Sequence, residues 1–473
     1  MDNNAELLNC AQNIYIGKCR KLNLSRMEFL KRPLKAHVRT FGCQMNAHDS
    51  EKMESVLKSM GYELSEDAAR ADLVLMNTCC VRENAENRVF GNLGKLNFLK
   101  KDNPDMIVVI CGCMMQQDAV VEKIKKSYRH VDVIFGTYNL NRFPQLLLTR
   151  METGKQVIDI WKEAESTEEE PCDISLRHFR FKASVNIMYG CDNFCSYCIV
   201  PYVRGRERSR PHGEILAEVA MLAQDGVKEV MLLGQNVNSY GGGIKGELTF
   251  AGLLDRICGV SGIERIRFMT SHPKDLSDEL ISTMKAQPKI CKHLHLPVQS
   301  GSSRILKAMN RKYTKESYQS LVDNIKKQIP DISLTTDFIV GFPGETEEDF
   351  QDTCEIVKYA RFSGAFTFLY SKRIGTPAAS MEGQVPEEEA NERLQRLLKL
   401  TNAVIYEENS KLVGRTLRVM PEEVSAKDPS LLTGRADNNA LVHFRSSESL
   451  IGSFTDVLIE ECKTFYLMGS KKD

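Results

Sequence analysis

The sequence predicts an α/β protein made of a parallel α/β domain, an incomplete barrel of six βα units and a small C-terminal β-barrel. Three observations support this fold class. Strand and helix patterns alternate from about residue 36 to 150, six further strand candidates recur roughly every 30 to 45 residues up to about residue 370, and short alternating runs with turn signals follow Gly414. Alternating strands and helices indicate parallel sheets, whereas short, closely spaced strands indicate a barrel.

Residues 1–35 are predicted to be an irregular, basic leader. Between Lys18 and Lys35, seven basic side chains accompany a single acid, Glu28. Such a run is either a solvated segment or an arm that contacts phosphate groups, and the pattern leaves both open. Residues 36–150 form the first domain, with strands at 37–41, 72–77, 106–110 and 131–135 and helices at 48–59, 82–100 and 116–127.

Residues 151–180 are predicted to be a linker, because positions 162–173 are acidic, polar and without periodicity. Residues 181–410 form the incomplete barrel, and residues 411–473 form the small β-barrel. The barrel strands are expected at 184–189, 228–233, 265–270, 292–298, 334–340 and 366–370, a charged helix near 386–410, and the strands of the last domain at 416–420, 440–444 and 456–459.

The composition narrows the class of protein. Hydrophobic residues make up 42% and charged residues 27% of the 473 residues, a globular balance. Lys+Arg and Asp+Glu both total 63, so any nucleic-acid surface must be a local patch. The start lacks a signal-peptide pattern, and the apolar run 106–115 is shorter than the ~20 residues that a membrane-spanning helix needs. We expect a cytoplasmic protein without membrane contact, in which some of the fifteen cysteines serve metal binding or catalysis.

Cys191, Cys195 and Cys198 are the most informative residues of the chain. Three thiols spaced Cys-x3-Cys-x2-Cys can ligate three irons of a cubane cluster and leave the fourth iron open for chemistry. Structural zinc is almost always four-coordinate, and no His or Cys follows Cys198 closely enough to be a local fourth ligand. The spacing therefore favours an iron–sulfur cluster over zinc.

Polar residues collect at the predicted carboxyl ends of the barrel strands, where parallel sheets bind ligands. Turn chemistry explains some of the Gly and Pro found there, but it does not explain Gln235, Asn236, His272 and Gln299 together. These residues indicate one polar active face.

Cysteines mark the strand ends of the N-terminal sheet in the same way. Cys43, Cys79 and Cys113 follow three predicted strands and could converge on a second cluster, again with three protein thiolates. Cys80 and Cys111 are competitors for this assignment. Cys111 continues an apolar strand, so packing explains it more simply.

Two smaller groups have a functional and a structural interpretation. Arg204, Arg206, Arg208 and Arg210 could grip phosphate or carboxylate groups, or could be solvated surface charges. The pair His293 and His295 shares one face of a strand, where it could ligate a metal or line the barrel interior.

The Cys191 motif, with the aromatic Tyr197 before its last cysteine, resembles the signature of the radical S-adenosylmethionine superfamily. Together with Cys43, Cys79 and Cys113 and a C-terminal barrel similar to the TRAM domain, it matches the methylthiotransferase family over nearly the whole chain after residue 36. The segments 77–85, 233–240 and 270–273 resemble the subgroup that modifies N6-isopentenyladenosine in tRNA.

The resemblance implies two [4Fe-4S] clusters and a chemistry for each. The Cys191/Cys195/Cys198 cluster would bind S-adenosylmethionine and cleave it to a 5′-deoxyadenosyl radical, which abstracts hydrogen from C2 of the modified adenosine next to the anticodon. The Cys43/Cys79/Cys113 cluster would present a sulfur atom, which a second S-adenosylmethionine methylates. The residues expected to contact S-adenosylmethionine are Tyr197, Glu214, Gln235, Asn236, Gln299 and Ser300. His212 departs from the superfamily's glycine in the segment 211–214.

The partners implied are tRNA carrying N6-isopentenyladenosine, an electron donor such as flavodoxin or ferredoxin, and a protein that donates sulfur or clusters; we expect a monomer. The C-terminal domain has nine basic and nine acidic residues, so Arg415, Arg418 and Arg435 would have to contact RNA individually, with Phe444 either stacking on bases or lying in the core. The alternatives are methylthiolation of a ribosomal-protein S12 aspartate or of threonylcarbamoyladenosine, an RNA-binding iron–sulfur carrier without enzyme activity, and a zinc-binding RNA module.

Overall fold

The structure is a computed structural model that describes residues 2–80, 83–163, 177–269 and 271–472. The chain forms two compact units. The first consists of residues 1–178, 189–192 and 199–208, and the second of residues 179–188, 193–198 and 209–473. Residues 164–176 of the predicted linker 151–180 lie outside the described residues, whereas its first residues end the helix Phe143–Thr153 and form the strand Val157–Asp159 of the first unit's sheet, so the linker prediction was wrong there.

The first unit is a six-stranded parallel sheet with helices on both faces, as the alternating pattern predicted. Its strand order is β2-β1-β3-β4-β5-β6. The two edge strands β2 and β6 were not predicted, because three residues are too few to show a period of two. The strands are β1 Leu34–Thr40, β2 Tyr62–Leu64, β3 Leu73–Thr78, β4 Ile107–Gly112, β5 Val133–Phe135 and β6 Val157–Asp159; the helices are α1 Asp2–Leu30, α2 Gln44–Ser59, α3 Glu83–Asp102, α4 Asp118–Ser127, α5 Phe143–Thr153 and α6 Val200–Arg204.

The central strands explain why this sheet has a core on each face. Leu73 and Leu75 of β3 pack in one apolar cluster, whereas the alternate residues Val74 and Met76 pack in the other. A strand that is buried on both faces reads as a continuous apolar run, which is how β3 and β4 were recognised in the sequence.

The prediction of an irregular leader was wrong, because residues 2–30 form the long helix α1. Its inner face carries Tyr15, Cys19, Asn23 and Met27 at intervals of four residues, the spacing of a helix stripe. Cys19 is fully buried, and Asn23 Nδ2 donates to Met60 O at 3.0 Å. The basic residues of this segment masked a weak helical period, and tertiary packing stabilises the helix.

The second unit contains the six predicted βα strands, arranged as an open barrel. They form two three-stranded parallel sheets, ordered β11-β10-β7 and β12-β13-β14, and an Ile266–Ile290 bridge connects β11 with the segment before β12. The fold-class prediction is confirmed. The barrel strands are β7 Lys182–Asn186, β10 Glu229–Leu233, β11 Arg265–Phe268, β12 His293–His295, β13 Ser333–Val340 and β14 Gly364–Leu369, with short strands β8 Met188–Tyr189 and β9 Arg208–Ser209; the helices are α7 His212–Gln224, α8 Phe250–Cys258, α9 Asp278–Ala286, α10 Ser303–Ala308, α11 Lys315–Gln328, α12 Glu347–Ala360 and α13 Glu387–Ser410.

The C-terminal residues of the second unit close into a β-barrel, as predicted, with five strands rather than the three that the sequence indicated. Phe444 is fully buried in its apolar core, so it does not offer a ring to RNA bases. The strands are β15 Thr416–Val424, β16 Leu431–Ala436, β17 Leu441–Arg445, β18 Thr455–Lys463 and β19 Tyr466–Lys471, closed in the order β15-β16-β17-β19-β18.

Arg265 of β11 joins this small barrel to the βα core. Its guanidinium is 1% exposed, pairs with Glu229 at 3.2 Å, and donates to Arg435 O at 3.0 Å and to Arg418 O at 3.2 Å. The Arg418 side chain lies 3.7 Å from the ring centroid of Phe454. The junction is therefore polar, with ionic and backbone partners for both Nη atoms of Arg265. Among the described residues, no helix is both long and apolar enough to cross a membrane.

Candidate cysteine-lined sites

The carboxyl ends of β1, β3 and β4 bring Cys43, Cys79 and Cys113 together. Cys43 precedes the first turn of α2, and Cys113 begins a short 3-10 turn after β4. The Sγ atoms of Cys43 and Cys113 each lie 3.8 Å from Asn46 Oδ1. A Cβ atom on Gly42 would lie 2.4 Å from Cys79 Cβ, so Cys79 occupies the space next to this glycine. Adjacent parallel strands place their ends at one edge of the sheet, which explains the convergence of residues far apart in sequence.

Asn46 holds the centre of this group in a fixed orientation. Its Nδ2 donates to Phe41 O and Thr78 O, both at 2.9 Å, and its Oδ1 faces the Cys43 and Cys113 thiols. Because both carbonyls accept from the same amide nitrogen, the amide cannot flip without losing two buried hydrogen bonds.

Arg204 completes the group from α6. Its side chain is 7% exposed; Nε donates to Cys113 Sγ at 3.1 Å, and Nη2 donates to Asn46 Oδ1 at 2.7 Å and lies 3.2 Å from Asp49 Oδ2. Hydrogen bonding from Cys80, helped by the Arg204 charge, lowers the pKa of Cys113 below the usual range of a thiol although burial opposes this. Both contacts favour the thiolate, the form that ligates metals. Neither interpretation of this arginine run from the sequence included a buried contact with a cysteine.

The structure separates the two competing cysteines. Cys111 packs in the opposite core of the sheet, with its Sγ 3.7 Å from Met53 Sδ. Cys80 lies on the same side as Cys113, and its pKa is raised well above the usual range, chiefly by its hydrogen bond to Cys113. Cys111 therefore has the contacts of a packing residue, while Cys80 neighbours the candidate ligands.

The donor set suits an iron–sulfur cluster, which cysteine thiolates ligate. Three thiols, a buried guanidinium that donates to one sulfur, and the absence of a side chain at Gly42 suit such a group.

Gly42 gives a prediction for this site. Its φ of +116° is in a region that L-residues avoid, and the added Cβ of Gly42→Ala would overlap Cys79 Cβ and Sγ, at 2.4 and 2.7 Å. We expect the variant to lose about 2 kcal/mol of unfolding free energy or more, and to bind less iron per chain. Chemical denaturation and iron analysis measure both.

Gly17→Ala is the matched control, because a Cβ there meets nothing within 4 Å and the residue lies in α1. It should keep its iron and gain about 0.5–1 kcal/mol of stability. Equal iron content in the two variants would contradict the assignment of Cys79.

The second cysteine group lies in the loop after β8. In the first unit, Cys191 N donates to Gly205 O at 3.2 Å, and a Cβ on Gly190 would lie 2.0 Å from Arg206 O. In the second unit, Cys198 N donates to Cys195 O at 2.9 Å, which turns the loop between those two residues.

Arg311 contacts this group as Arg204 contacts the other. It is buried, and its Nη1 donates to Cys195 Sγ at 3.3 Å, while Nη2 donates to Pro297 O at 2.8 Å. Its Nε donates to Tyr313 Oη at 2.8 Å. Nothing in the sequence around Arg311 suggested this role; only the fold brings it to the loop. Tyr197 lies close by, and burial raises the pKa of its phenol, which keeps it neutral.

The predicted S-adenosylmethionine contacts have different surroundings. Asn236 Oδ1 accepts from His272 N at 3.0 Å, and its Nδ2 donates to Asp275 at 2.7 Å. Gln299 is buried with φ +71° and exchanges backbone hydrogen bonds with β13. The Ser300 hydroxyl lies 3.4 Å from Thr353 Oγ1 and accepts from the Ser302 amide, so these contacts already use it.

Glu214 and Gln235 lie at other strand and helix ends of the same core. Glu214 is in the first turn of α7, with one carboxylate oxygen 3.9 Å from Arg210 Nε. Gln235 directly follows Gly234 after β10, next to Asn236.

His272 offers a hydrogen-bond donor at this face. The Lys274 amide donates to its Nδ1 at 3.3 Å, and burial together with Arg311 and Lys274 lowers its pKa to about 2. The ring is therefore neutral with its proton on Nε2, and among the described residues this buried nitrogen has no hydrogen-bond partner. A buried donor in this state is suited to a ligand.

The remaining candidates have structural partners. His293 and His295 share the Thr335 hydroxyl, at 3.0 Å each, which favours the barrel-lining interpretation. Arg210 is buried and pairs with Glu218 at 2.8 Å, and Arg206 pairs with Asp192 at the surface. The arginines at positions 204, 206 and 210 therefore form neither one solvated surface patch nor one phosphate-binding site.

Three family descriptions match successive parts of the chain. Residues 35–136 match the uncharacterized protein family UPF0004, residues 185–357 the radical SAM superfamily, and residues 410–472 the TRAM domain.

Curated relatives are similar over nearly the full length. The tRNA-2-methylthio-N(6)-dimethylallyladenosine synthase of Lachnoclostridium phytofermentans is 57% identical over 445 residues, which cover 93% of this chain and 96% of the relative. The protein of the same name from Acetivibrio thermocellus is 53% identical over 459 residues, 97% of this chain and 95% of the relative.

A solved structure shares the fold. The radical S-adenosylmethionine methyltransferase TsrM from Kitasatospora setae, with cobalamin and a [4Fe-4S] cluster bound, superposes with a TM-score of 0.52 over 73% of this chain and 74% of that chain. At 15% identity the likeness concerns the fold alone.

Proposed function

The chain belongs to the family of tRNA-2-methylthio-N(6)-dimethylallyladenosine synthases, and from this membership we propose that it methylthiolates C2 of N6-isopentenyladenosine next to the anticodon of tRNA. The proposal is carried by two such relatives, which are more than 50% identical in sequence to this chain over almost their whole length. The chain also has both cysteine groups. The protein is a radical S-adenosylmethionine enzyme with a TRAM domain.

Two [4Fe-4S] clusters and S-adenosylmethionine supply the chemistry when bound: one cluster provides the electron that yields a 5′-deoxyadenosyl radical, and the other holds the sulfur that is transferred. In this proposal Cys191, Cys195 and Cys198 ligate the first. Arg311 orients Cys195 through its hydrogen bond to the sulfur and is itself fixed by Pro297 O.

Cys43, Cys79 and Cys113 ligate the second cluster in the proposal. Asn46 holds the ends of β1 and β3 together through Phe41 O and Thr78 O, so the spacing of the thiols is set before any metal binds. Such preorganisation reduces the ordering that metal binding must impose on the chain.

S-adenosylmethionine and the nucleoside are proposed to lie at the carboxyl ends of the barrel strands. Tyr197, Glu214, Gln235, Asn236, Gln299 and Ser300 are the proposed contacts. His272 adds a neutral donor through Nε2, suited to an uncharged or anionic acceptor of the bound ligand.

The partners follow from this chemistry. We propose tRNA as the substrate, a flavodoxin or ferredoxin as the source of electrons, and a sulfur- or cluster-donating protein that renews the sulfur. Because tRNA is the substrate, the proposed location is the cytoplasm, and the proposed state is a monomer. In the TRAM domain, Arg415 and Arg418 already pair with Asp331 and Glu264, so RNA would have to displace these exposed partners.

The test is mass spectrometry of tRNA nucleosides from cells that lack this gene and from the same cells complemented with it. We expect 2-methylthio-N6-isopentenyladenosine to disappear in the deletion, with N6-isopentenyladenosine accumulating, and to return on complementation. The S12 protein and threonylcarbamoyladenosine from the same cells are measured in parallel. Loss of methylthiolation there, with the isopentenyladenosine product unchanged, would assign one of the alternative substrates.

A further inference from the structure

Arg204 is a buried cation next to a candidate cluster ligand. It follows the hydrophobic residues Ile199 and Val203, which pack in the same core as Cys113 and fix the position of the arginine. With its side chain 7% exposed, the guanidinium is shielded from water and must be balanced by the groups around it.

The groups that face Arg204 are few. Cys113 accepts its Nε–H at 3.1 Å, and Asp49, which is itself 6% exposed, lies 3.2 Å from Nη2. The neutral Asn46, which also contacts the Cys43 thiol, accepts from Nη2. One carboxylate and the cysteine group therefore share a single buried positive charge.

Arg311 provides an internal comparison. It also donates to a candidate ligand sulfur, at 3.3 Å, but among the described residues it forms no ion pair with a carboxylate. Each cysteine group thus accepts a hydrogen bond from a buried arginine, but only the arginine of the first group, Arg204, is paired with a carboxylate, that of Asp49. Hydrogen bonds to cluster sulfurs and nearby net charge are two of the factors that set the reduction potential of an iron–sulfur cluster.

We propose that Arg204 and Asp49 form a tuning pair for the auxiliary cluster, in which Arg204 holds the Cys113 sulfur and raises the reduction potential while Asp49 moderates that rise. This inference rests on the proposed function only in assuming that Cys43, Cys79 and Cys113 hold a cluster. Both residues are positioning residues, since they act on the cluster through its ligand.

The test uses the full-length chain with Cys191, Cys195 and Cys198 replaced by alanine, so that the signal of the auxiliary cluster is observed alone. The cluster is reconstituted anaerobically and its midpoint potential is determined by a redox titration followed by electron paramagnetic resonance. Variants Arg204→Met, Arg204→Lys, Asp49→Asn and the double variant Arg204→Met/Asp49→Asn are compared with this background.

The pair predicts shifts of opposite sign. Removing the cation in Arg204→Met lowers the potential, because the oxidised, less negative cluster is then favoured; removing the anion in Asp49→Asn raises it. Arg204→Lys, which keeps the charge as a point donor, shifts the potential less than Arg204→Met. The double variant lies between the two single variants. Iron in Arg204→Met is also expected to be lost to a chelator roughly 10- to 100-fold more readily, the usual cost of removing a group that orients a metal ligand.

Arg150→Met is the matched control, because Arg150 pairs with Asp132 in the same unit at 2.9 Å and contacts none of the three cysteines. It should leave the potential unchanged. Potentials in all four Arg204 and Asp49 variants equal to the background, or shifts of the same sign in Arg204→Met and Asp49→Asn, would overturn the proposal. The double variant preserves charge balance, so it separates an electrostatic effect from misfolding.

The two proposals fail in different ways. If tRNA nucleosides show another substrate but the potentials shift as described, the tuning pair stands and the substrate assignment falls. If nucleoside analysis supports the substrate while the potentials do not move, only the tuning pair falls.

Discussion

Cys195→Ala is expected to abolish formation of 5′-deoxyadenosine and of the methylthiolated nucleoside. Cys195 is the member of its group whose sulfur is buried and accepts from Arg311, so its loss removes an iron ligand and leaves the guanidinium without that acceptor. Iron per reconstituted chain should fall from about eight to about four, the content of the remaining cubane. Iron analysis and chromatography of the reaction products measure these losses.

Cys258→Ala is the control for that experiment. Cys258 ends α8, and burial raises the pKa of its thiol to about 11, as expected of a packing cysteine. It should retain its iron and its activity apart from a small loss of stability. Deoxyadenosine formation by Cys195→Ala at the rate of the unchanged protein would contradict the ligand assignment.

Cys113→Ala is expected to separate the two halves of the reaction. Its Sγ accepts from Arg204, and its loss leaves two of three ligands in the auxiliary group. We expect about four irons per chain, continued cleavage of S-adenosylmethionine to 5′-deoxyadenosine, and no methylthiolated nucleoside. Product analysis on tRNA that carries isopentenyladenosine distinguishes this from loss of both activities.

Cys111→Ala is the matched control, since this thiol lies one residue from the strand end but packs in the opposite core against Met53. It should keep both clusters. If Cys113→Ala still makes the methylthiolated product at a comparable rate, the neighbouring Cys80 would replace it as the third ligand.

The sequence predicted the architecture because hydrophobic periodicity and motif spacing are local. The six strands of the βα core and three of the five strands of the C-terminal barrel follow from alternation and turn signals, whereas β16 and β19 were not predicted. The family resemblance drawn from the two cysteine groups is confirmed by relatives that are more than 50% identical to this chain. Helix α1 was missed because its apolar stripe is interrupted by Lys and Arg, and only packing against the sheet reveals its inner face.

The arginines beside the cysteines were out of reach of sequence reasoning for a different reason. Arg204 is 91 residues from Cys113, and Arg311 is 116 residues from Cys195. No spacing rule connects residues that far apart, so their partners depend on which loops the fold brings together. The lack of a hydrogen-bond partner for His272 Nε2 among the described residues likewise depends on which groups the fold places around the ring.

Arg265 has a consequence for how the parts of this protein can be studied. Its buried charge is satisfied partly by Glu229 in the core and partly by the carbonyls of Arg418 and Arg435 in the small barrel. Deleting residues 411–473 would leave that buried guanidinium without the Arg418 and Arg435 carbonyls and without the Asp437 carboxylate. Loss of activity in a truncated enzyme could therefore result from a damaged core as well as from a lost RNA contact. Point variants on the outer surface of the small barrel distinguish these two causes.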